Sequence, residues 1–209
     1  MLDLLKARLR IAVDAGCDGV DPDNIDVYDV DALKISQDQV ISVLKNMTDY
    51  AHSLTTALGN PLMVGQKNAA PISNRLVEFM DFAVLENCLG EGFCNKFTNY
   101  ISKSKPVIAI EYPDSLGDDS DKKFGCNRNG IDDADRKKVC NGSQNKTPTG
   151  FSEVLKLNFN DFGLNGCTQY CSDTQAVVSD VIGENGGNAC DYEFKGDKCT
   201  AEYKKNHCC

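Results

Sequence analysis

Short apolar runs alternate with stretches whose hydrophobic residues recur at helical spacing, and the alternation persists through most of the chain. Residues 3–15, just after Leu2, place Leu5, Leu9 and Val13 on one face, the spacing of an amphipathic helix. Cys17-Asp18-Gly19-Val20 then leads into Asp21-Pro22-Asp23-Asn24. Pro22 lacks an amide donor, so a central strand stops there and a loop begins. Ser36 with Gln39 makes a capping-box pattern that opens a long helix, to about Leu58. Leu62-Met63-Val64-Gly65 reads as a short buried strand ending at Gln66-Lys67-Asn68, followed by a helix over 71–79. Phe82-Ala83-Val84-Leu85 reads as a strand ending at Glu86, then a helix runs over 94–103, and Pro106–Ile110 ends at Glu111-Tyr112. A long polar loop fills 113–150 before a further strand from Phe151 to Leu157. From about 172 onward the chain is Cys-rich, Gly-rich and weakly patterned.

Continuous apolar strands separated by helices specify βα units and a parallel sheet covered on both faces. About five such units are visible, whereas a complete eight-fold barrel typically needs about 250 residues. The pattern therefore predicts an α/β fold of the (β/α)8 TIM-barrel type, in partial form. Residues 1–171 would hold its C-terminal units and 172–209 a Cys-rich tail. A complete doubly wound α/β domain is the alternative, although no Gly-rich phosphate loop supports a nucleotide-binding version.

Composition narrows the setting. With 41% hydrophobic and 25% charged residues, the 209-residue chain is neither collagen-like, a coiled coil nor mainly disordered. No apolar run approaches the roughly 20 residues of a membrane-spanning helix, so no membrane partner is expected. The formal charge of -9 repels phosphate backbones, which argues against nucleic acid, and would attract a cationic ligand. Eleven cysteines and the sequons at Asn46, Asn141 and Asn145 suit a secreted glycoprotein with disulfides. Yet MLDLLKARLRIAVDAG is not a signal peptide, which leads us to expect a start upstream of Met1.

The polar residues that interrupt this pattern fall at strand ends. Asp21 and Asp23, Lys67 and Asn68, Glu86, and Glu111 with Tyr112 each stand where a strand stops. In a parallel barrel those ends share one face, the face on which active sites are built. Several carboxylates in one pocket suit glycoside hydrolysis, in which one acid protonates the leaving oxygen and another carboxylate attacks carbon or activates water. Crowding drives their pKa values apart, and Lys67 would favour ionisation of whichever carboxylate it touches.

The same residues carry a family resemblance. Gly16-Cys17-Asp18-Gly19-Val20-Asp21-Pro22-Asp23-Asn24-Ile25-Asp26 resembles the GCDGVEPDNVD signature of glycoside hydrolase family 114. Gln66-Lys67-Asn68, Phe82 to Cys88, and Ile110-Glu111-Tyr112 are similar to its LKN, FAVNEQC and VEY segments, in order, and Phe151 to Leu157 to its last strand. The likeness covers roughly residues 5–171. It implies a TIM-barrel hydrolase of the endo-α-1,4-polygalactosaminidase type, acting outside the cell on a cationic aminosugar polymer as a monomer. Position by position, it implies Asp23 as nucleophile or charge stabiliser and Glu86 as acid/base. Asp21, Asn24, Lys67, Asn68, Glu111 and Tyr112 would line the sugar subsites. Three departures stand out: Asp21 replaces Glu, Leu85 replaces Asn beside Glu86, and the family's first strands have no counterpart. With no Trp, the aromatic candidates for sugar stacking are Tyr28, Phe93 and Tyr112. An exo-acting α-galactosidase-like hydrolase and a non-catalytic sugar-binding module of the same fold are the alternatives.

No cofactor or metal is expected. Cys88 with Cys94 and Cys126 with Cys140 are placed to form disulfides. The tail residues Cys190, Cys199, His207, Cys208 and Cys209 lack the paired knuckle of a zinc site. The calcium-loop-like stretch 125–136 has Gly at its first ligand position and Arg136 at its twelfth. A Ser-His-acid hydrolase finds no nucleophile elbow, with His52 on a helix and His207 in the tail.

Overall fold

Helix α1 (Leu2–Asp14) buries Leu9 and half-buries Leu5 and Val13, the face expected from their spacing. It ends in a Schellman arrangement. Gly16 takes φ +88°, its N–H bonding to the Val13 carbonyl while the Cys17 N–H bonds to that of Ala12. Glycine suits this position because other side chains clash at positive φ. In this computed structural model, residues 2–113, 132–140, 147–156 and 168–170 are described. The tail, its zinc candidates, the calcium-like stretch as far as residue 131, Cys126 and the sequons at Asn141 and Asn145 lie outside them, as does the expected boundary at 171.

The chain divides into two units, Met1–Ala109 with Pro148–Ser152, and Ile110–Thr147 with Glu153–Cys209. In the first, β1 (Gly19–Val20), β2 (Met63–Lys67), β3 (Phe82–Glu86) and the start of β4 (Val107–Glu111) stand in sequence order. The β1–β2 and β2–β3 pairs are parallel, with Val20 opposite Val64 and Lys67 opposite Val84. This is an α/β fold on a parallel sheet, as the alternating pattern requires. Helix α2 (Gln37–His52) begins at the Ser36–Gln39 capping box, both of whose hydrogen bonds form. It stops six residues short of Leu58: Leu54 to Leu62 instead fold into a tight excursion closed by a Thr55–Pro61 bridge. The expected helices over 71–79 and 94–103 are shorter as well. Each opens as a 3-10 turn (Ala70–Ile72, Cys94–Phe97) and continues as α3 (Ser73–Leu76) or α4 (Thr98–Ser102).

Two cores hold this unit. One joins α1 and α2 to β2 through Leu9, Leu44, Met47, Leu62, Val64 and Met80. The other packs Ala83, Leu85, Phe97, Tyr100, Val107 and Phe151. Leu85 is fully enclosed there, so the side chain beside Glu86 serves packing. The Cys88–Cys94 disulfide forms and is buried in the same core. Cys140 is also disulfide-bonded, while Cys17 is a free, exposed thiol. Gly65 is required by contact, since a β-carbon there would lie 2.3 Å from the Phe82 ring. Asn46 sits inside α2 and its sequon threonine, Thr48, is fully buried, a setting unlike the surface loop a glycan needs.

The second unit contains α5 (Asp133–Val139), inside what the sequence pattern leaves as a polar loop. It also holds most of the strand expected from Phe151 to Leu157, here β5 (Ser152–Lys156), and a partner strand that the pattern does not anticipate. Strand β5 runs antiparallel to β6 (Thr168–Tyr170), with Leu155 opposite Gln169. No helix among the described residues is long and apolar enough to cross a membrane.

Candidate active site

Because β1, β2 and β3 are parallel neighbours, the residues that close them emerge at one end of the sheet. Lys67 is the last residue of β2 and Glu86 the last of β3, while Asp23 follows β1 by three positions. The Lys67 ammonium bridges both acids, 3.1 Å from Asp23 Oδ1 and 2.9 Å from Glu86 Oε2. Lys67 is only 8% exposed. Both carboxylates reach water, so the cation is fixed inside while its acids face outward. A single ammonium touching both oxygens limits their separation to the two contact lengths end to end, 6.0 Å.

Each of these strands is followed by an asparagine in the left-handed region: Asn24 at φ 55°, Asn68 at 44° and Asn87 at 52°, with Ala69 at 56°. Asparagine tolerates that region better than most residues because its short side chain bonds locally. The turns feed the site. The Asn24 N–H donates to Asp23 Oδ1 at 2.8 Å, and Asn68 Oδ1 accepts the Glu86 N–H at 2.9 Å. Asn68 thus ties the end of β2 to the end of β3, and Asn24 contributes through its backbone.

Beneath them lies a pair that reading strand ends misses. Gln66 donates from Nε2 to the carbonyls of Asn68 (2.7 Å) and Ala69 (3.2 Å), and its Oε1 accepts the Tyr100 hydroxyl at 2.7 Å. Gln66 and Tyr100 are completely buried. A glutamine inside an apolar strand demands a buried partner, but only the packing of α4 reveals which. Enclosure also raises the Tyr100 pKa, keeping it a neutral donor.

The charges are unequal. Burial alone would weaken the Lys67 ammonium, but its hydrogen bonds to Glu86 and Asp23 and their negative charge outweigh that and raise its pKa. Asp21 exposes part of its surface at the strand end, yet protein atoms around its carboxyl desolvate it and push its pKa up to about 6. The Lys67 charge opposes that rise and the Asp23 charge adds to it. One edge of the site therefore holds a reinforced cation between two acids, and another carries an acid that holds its proton into mildly acidic water.

Of the other expected residues, Glu111 closes β4 and is buried, and half-buried Tyr112 follows it; both belong to the second unit. Tyr28 packs against the first core with its hydroxyl enclosed and without a partner among the described residues. Burial first, then Asp29 and Asp26, push its pKa up to about 12. His52 sits at the end of α2 and meets Asp81 at 2.8 Å, at the start of β3 rather than its end.

A chain with these features finds matches among known proteins. Among solved structures it is similar to the crystal structure of Aspergillus fumigatus Ega3 in complex with galactosamine, at 31% identity and a TM-score of 0.64. That match covers 81% of this chain and 60% of the other, so this chain spans about three fifths of its length. No curated protein matches it significantly. The family model for glycoside-hydrolase family GH114 matches residues 2–176. The sheet order, the strand-end acids and this match over most of its length place the chain in glycoside-hydrolase family GH114.

Proposed function

We propose that this protein is a secreted glycoside hydrolase that cleaves α-1,4-linked galactosamine-containing polymer, with Asp23 and Glu86 as its carboxylate pair. The observation that carries the reading is the Lys67 bridge, which keeps Asp23 Oδ1 and Glu86 Oε2, one oxygen of each acid, at most 6.0 Å apart. Retaining glycosidases hold their two carboxyls about 5–5.5 Å apart, whereas inverting enzymes need about 6.5–9.5 Å to admit a water. The separation favours a retaining course. Asp23, paired with Lys67 and its own turn amide, attacks the anomeric carbon as the glycosidic bond breaks and Glu86 gives its proton to the leaving oxygen; Glu86 then takes a proton from the water that displaces Asp23 and frees the sugar. Asp21, Asn24, Lys67 and Asn68 line the sugar subsites here. Family membership and the complex of Ega3 with galactosamine support the substrate class, and the excess of acids suits a polymer bearing free amines. The fold proposed is part of a (β/α)8 barrel over 1–171, with 172–209 a separate tail.

The test is reducing-end release from partially deacetylated α-1,4-galactosamine polymer, with Asp23→Asn and Glu86→Gln beside the parent. Activity in the parent and its loss in both folded variants is the expected result. A folded parent that releases nothing would sink the enzymatic reading for this 209-residue chain and leave a sugar-binding module of the same fold.

A further inference from the structure

Beside the carboxylate cluster, the segments that continue from β2 and β3 enclose a second feature. A cleft of about 550 Å³ opens between the 3-10 turn and helix at 70–74 and the loop and turn at 92–99. Its walls begin just past Lys67-Asn68-Ala69 and Glu86-Asn87, so it belongs to the strand ends that carry the proposed chemistry. Its lining differs in kind. Asn74, Asn95 and Asn99 offer amides, Ser73 a hydroxyl, Phe93 a ring and Lys96 an ammonium, and among the described residues no carboxylate lines it.

The walls are held in place. Ser73 is 2% exposed, and its hydroxyl donates to the Lys96 carbonyl at 2.9 Å. Asn99 donates to Asn74 Oδ1 at 2.9 Å and to Ser73 Oγ at 3.4 Å, joining the two walls, while its own oxygen accepts the Tyr100 N–H. Phe93 packs against the buried Phe97, centroids 6.1 Å apart, and directly precedes Cys94 of the disulfide. Internal bonds therefore occupy Ser73 and Asn99. The Asn95 amide, the Asn74 nitrogen and the Lys96 ammonium have no partner among the described residues.

We infer that this cleft is a second sugar subsite, one that takes an uncharged N-acetylated hexosamine unit rather than a free-amine unit. The inference rests on the proposed galactosamine-polymer substrate and deepens it. A half-exposed ring covers the apolar face of a pyranose, and a few fixed amides around it set orientation. An acetamido group supplies one donor and one acceptor for Asn95 and Asn74. An ammonium at the same place would face Lys96 with no anion in the lining to offset it, whereas Asp21, Asp23 and Glu86 provide that offset at the first site. A polymer carrying both kinds of unit would then bind in one register, free amine at the acids and N-acetyl at the cleft.

The experiment compares two tetrasaccharides by calorimetric titration against the full chain: fully N-acetylated α-1,4-galactosamine, and its fully de-N-acetylated counterpart. Phe93→Ala is expected to weaken the N-acetylated ligand about tenfold, the loss of one ring-stacking contact. Lys96→Glu, a change at an exposed position that does not disturb the core, is expected to strengthen the de-N-acetylated ligand and weaken neither fold nor solubility. Glu86→Gln is expected to leave the N-acetylated ligand unchanged. Equal affinity for the N-acetylated ligand in the parent and in Phe93→Ala, together with no change of preference in Lys96→Glu, overturns the assignment. So does loss of all binding in Glu86→Gln. Phe93-dependent binding of the N-acetylated ligand by a parent that releases no reducing ends removes the proposed activity and keeps the cleft.

Discussion

Replacing Gln66 with leucine tests how the strand ends are held. The change nearly preserves volume and shape in a fully enclosed position, but it takes the Gln66 partner from three polar groups and strands two of them. The Tyr100 hydroxyl loses its acceptor in a fully buried position, while the Ala69 carbonyl keeps the Ile72 N–H at 3.1 Å. Asn68 is half-buried, so its carbonyl recovers part of its hydration. A buried group left unpaired costs about 1–3 kcal/mol, so one full penalty and one partial come to about 2–4 kcal/mol. Burying an apolar side chain in place of the amide returns about 1 kcal/mol. The expected net loss is about 2 kcal/mol in urea unfolding followed by circular dichroism, with the denaturant slope unchanged. Tyr100→Phe strands only Gln66 Oε1 and should cost about 1–2 kcal/mol. The decisive quantity is the double variant. Removing the hydroxyl from Gln66→Leu abolishes the penalty it suffers there, so Gln66→Leu/Tyr100→Phe should be no less stable than Gln66→Leu alone. Additive losses, or a loss under about 1 kcal/mol for Gln66→Leu, would refute the clamp.

Lys67→Met should destabilise the fold at pH 7 by about 1–2 kcal/mol, discounted for the exposure of its partners, because Asp23 and Glu86 are left facing each other. Thermal melts at pH 7 should show that loss, and an unchanged melting temperature would contradict the bridge. Asp21 works in the opposite sense. Its pKa rises from 3.8 to about 6 on folding, so its contribution to stability is full below about pH 4 and lost as pH climbs through 6. Asp21→Asn should therefore melt higher than the parent at pH 7.5 and gain nothing at pH 3.5. Cys88→Ser/Cys94→Ser opens a loop of sequence separation 6, for which chain entropy alone gives about 2 kcal/mol. Limited proteolysis should then cut between residues 89 and 93 faster than in the parent.

Much of this was legible before any fold was known. The capping box at Ser36 and Gln39, the strand Phe82–Glu86 and the Cys88–Cys94 pairing follow from local spacing, and all three form. Helix lengths were less legible. Leu58 continues a helical pattern past His52, but the chain turns back so that Leu62 can enter the core, and burial there outweighs a further turn of helix. Helix α5 escaped because Asp133–Val139 has almost no apolar face to read. The short antiparallel β6 escaped because three residues carry no periodicity.

The candidate site divides in the same way. The sequence by itself determined which residues stand at strand ends, since an apolar run must stop where a charge or a proline begins, and it set their order along the chain. It could not determine which strands are neighbours, and neighbourhood is what turns three charges into a cluster. Only the parallel packing of β1, β2 and β3 carried Lys67 between Asp23 and Glu86, across 44 and 19 residues of chain. Only the docking of α4 gave Gln66 its partner, 34 residues away. Desolvation is likewise a property of assembled neighbours, so the proton that Asp21 holds, and the absence of any carboxylate among the described residues of the cleft at Phe93, were decided by tertiary structure alone.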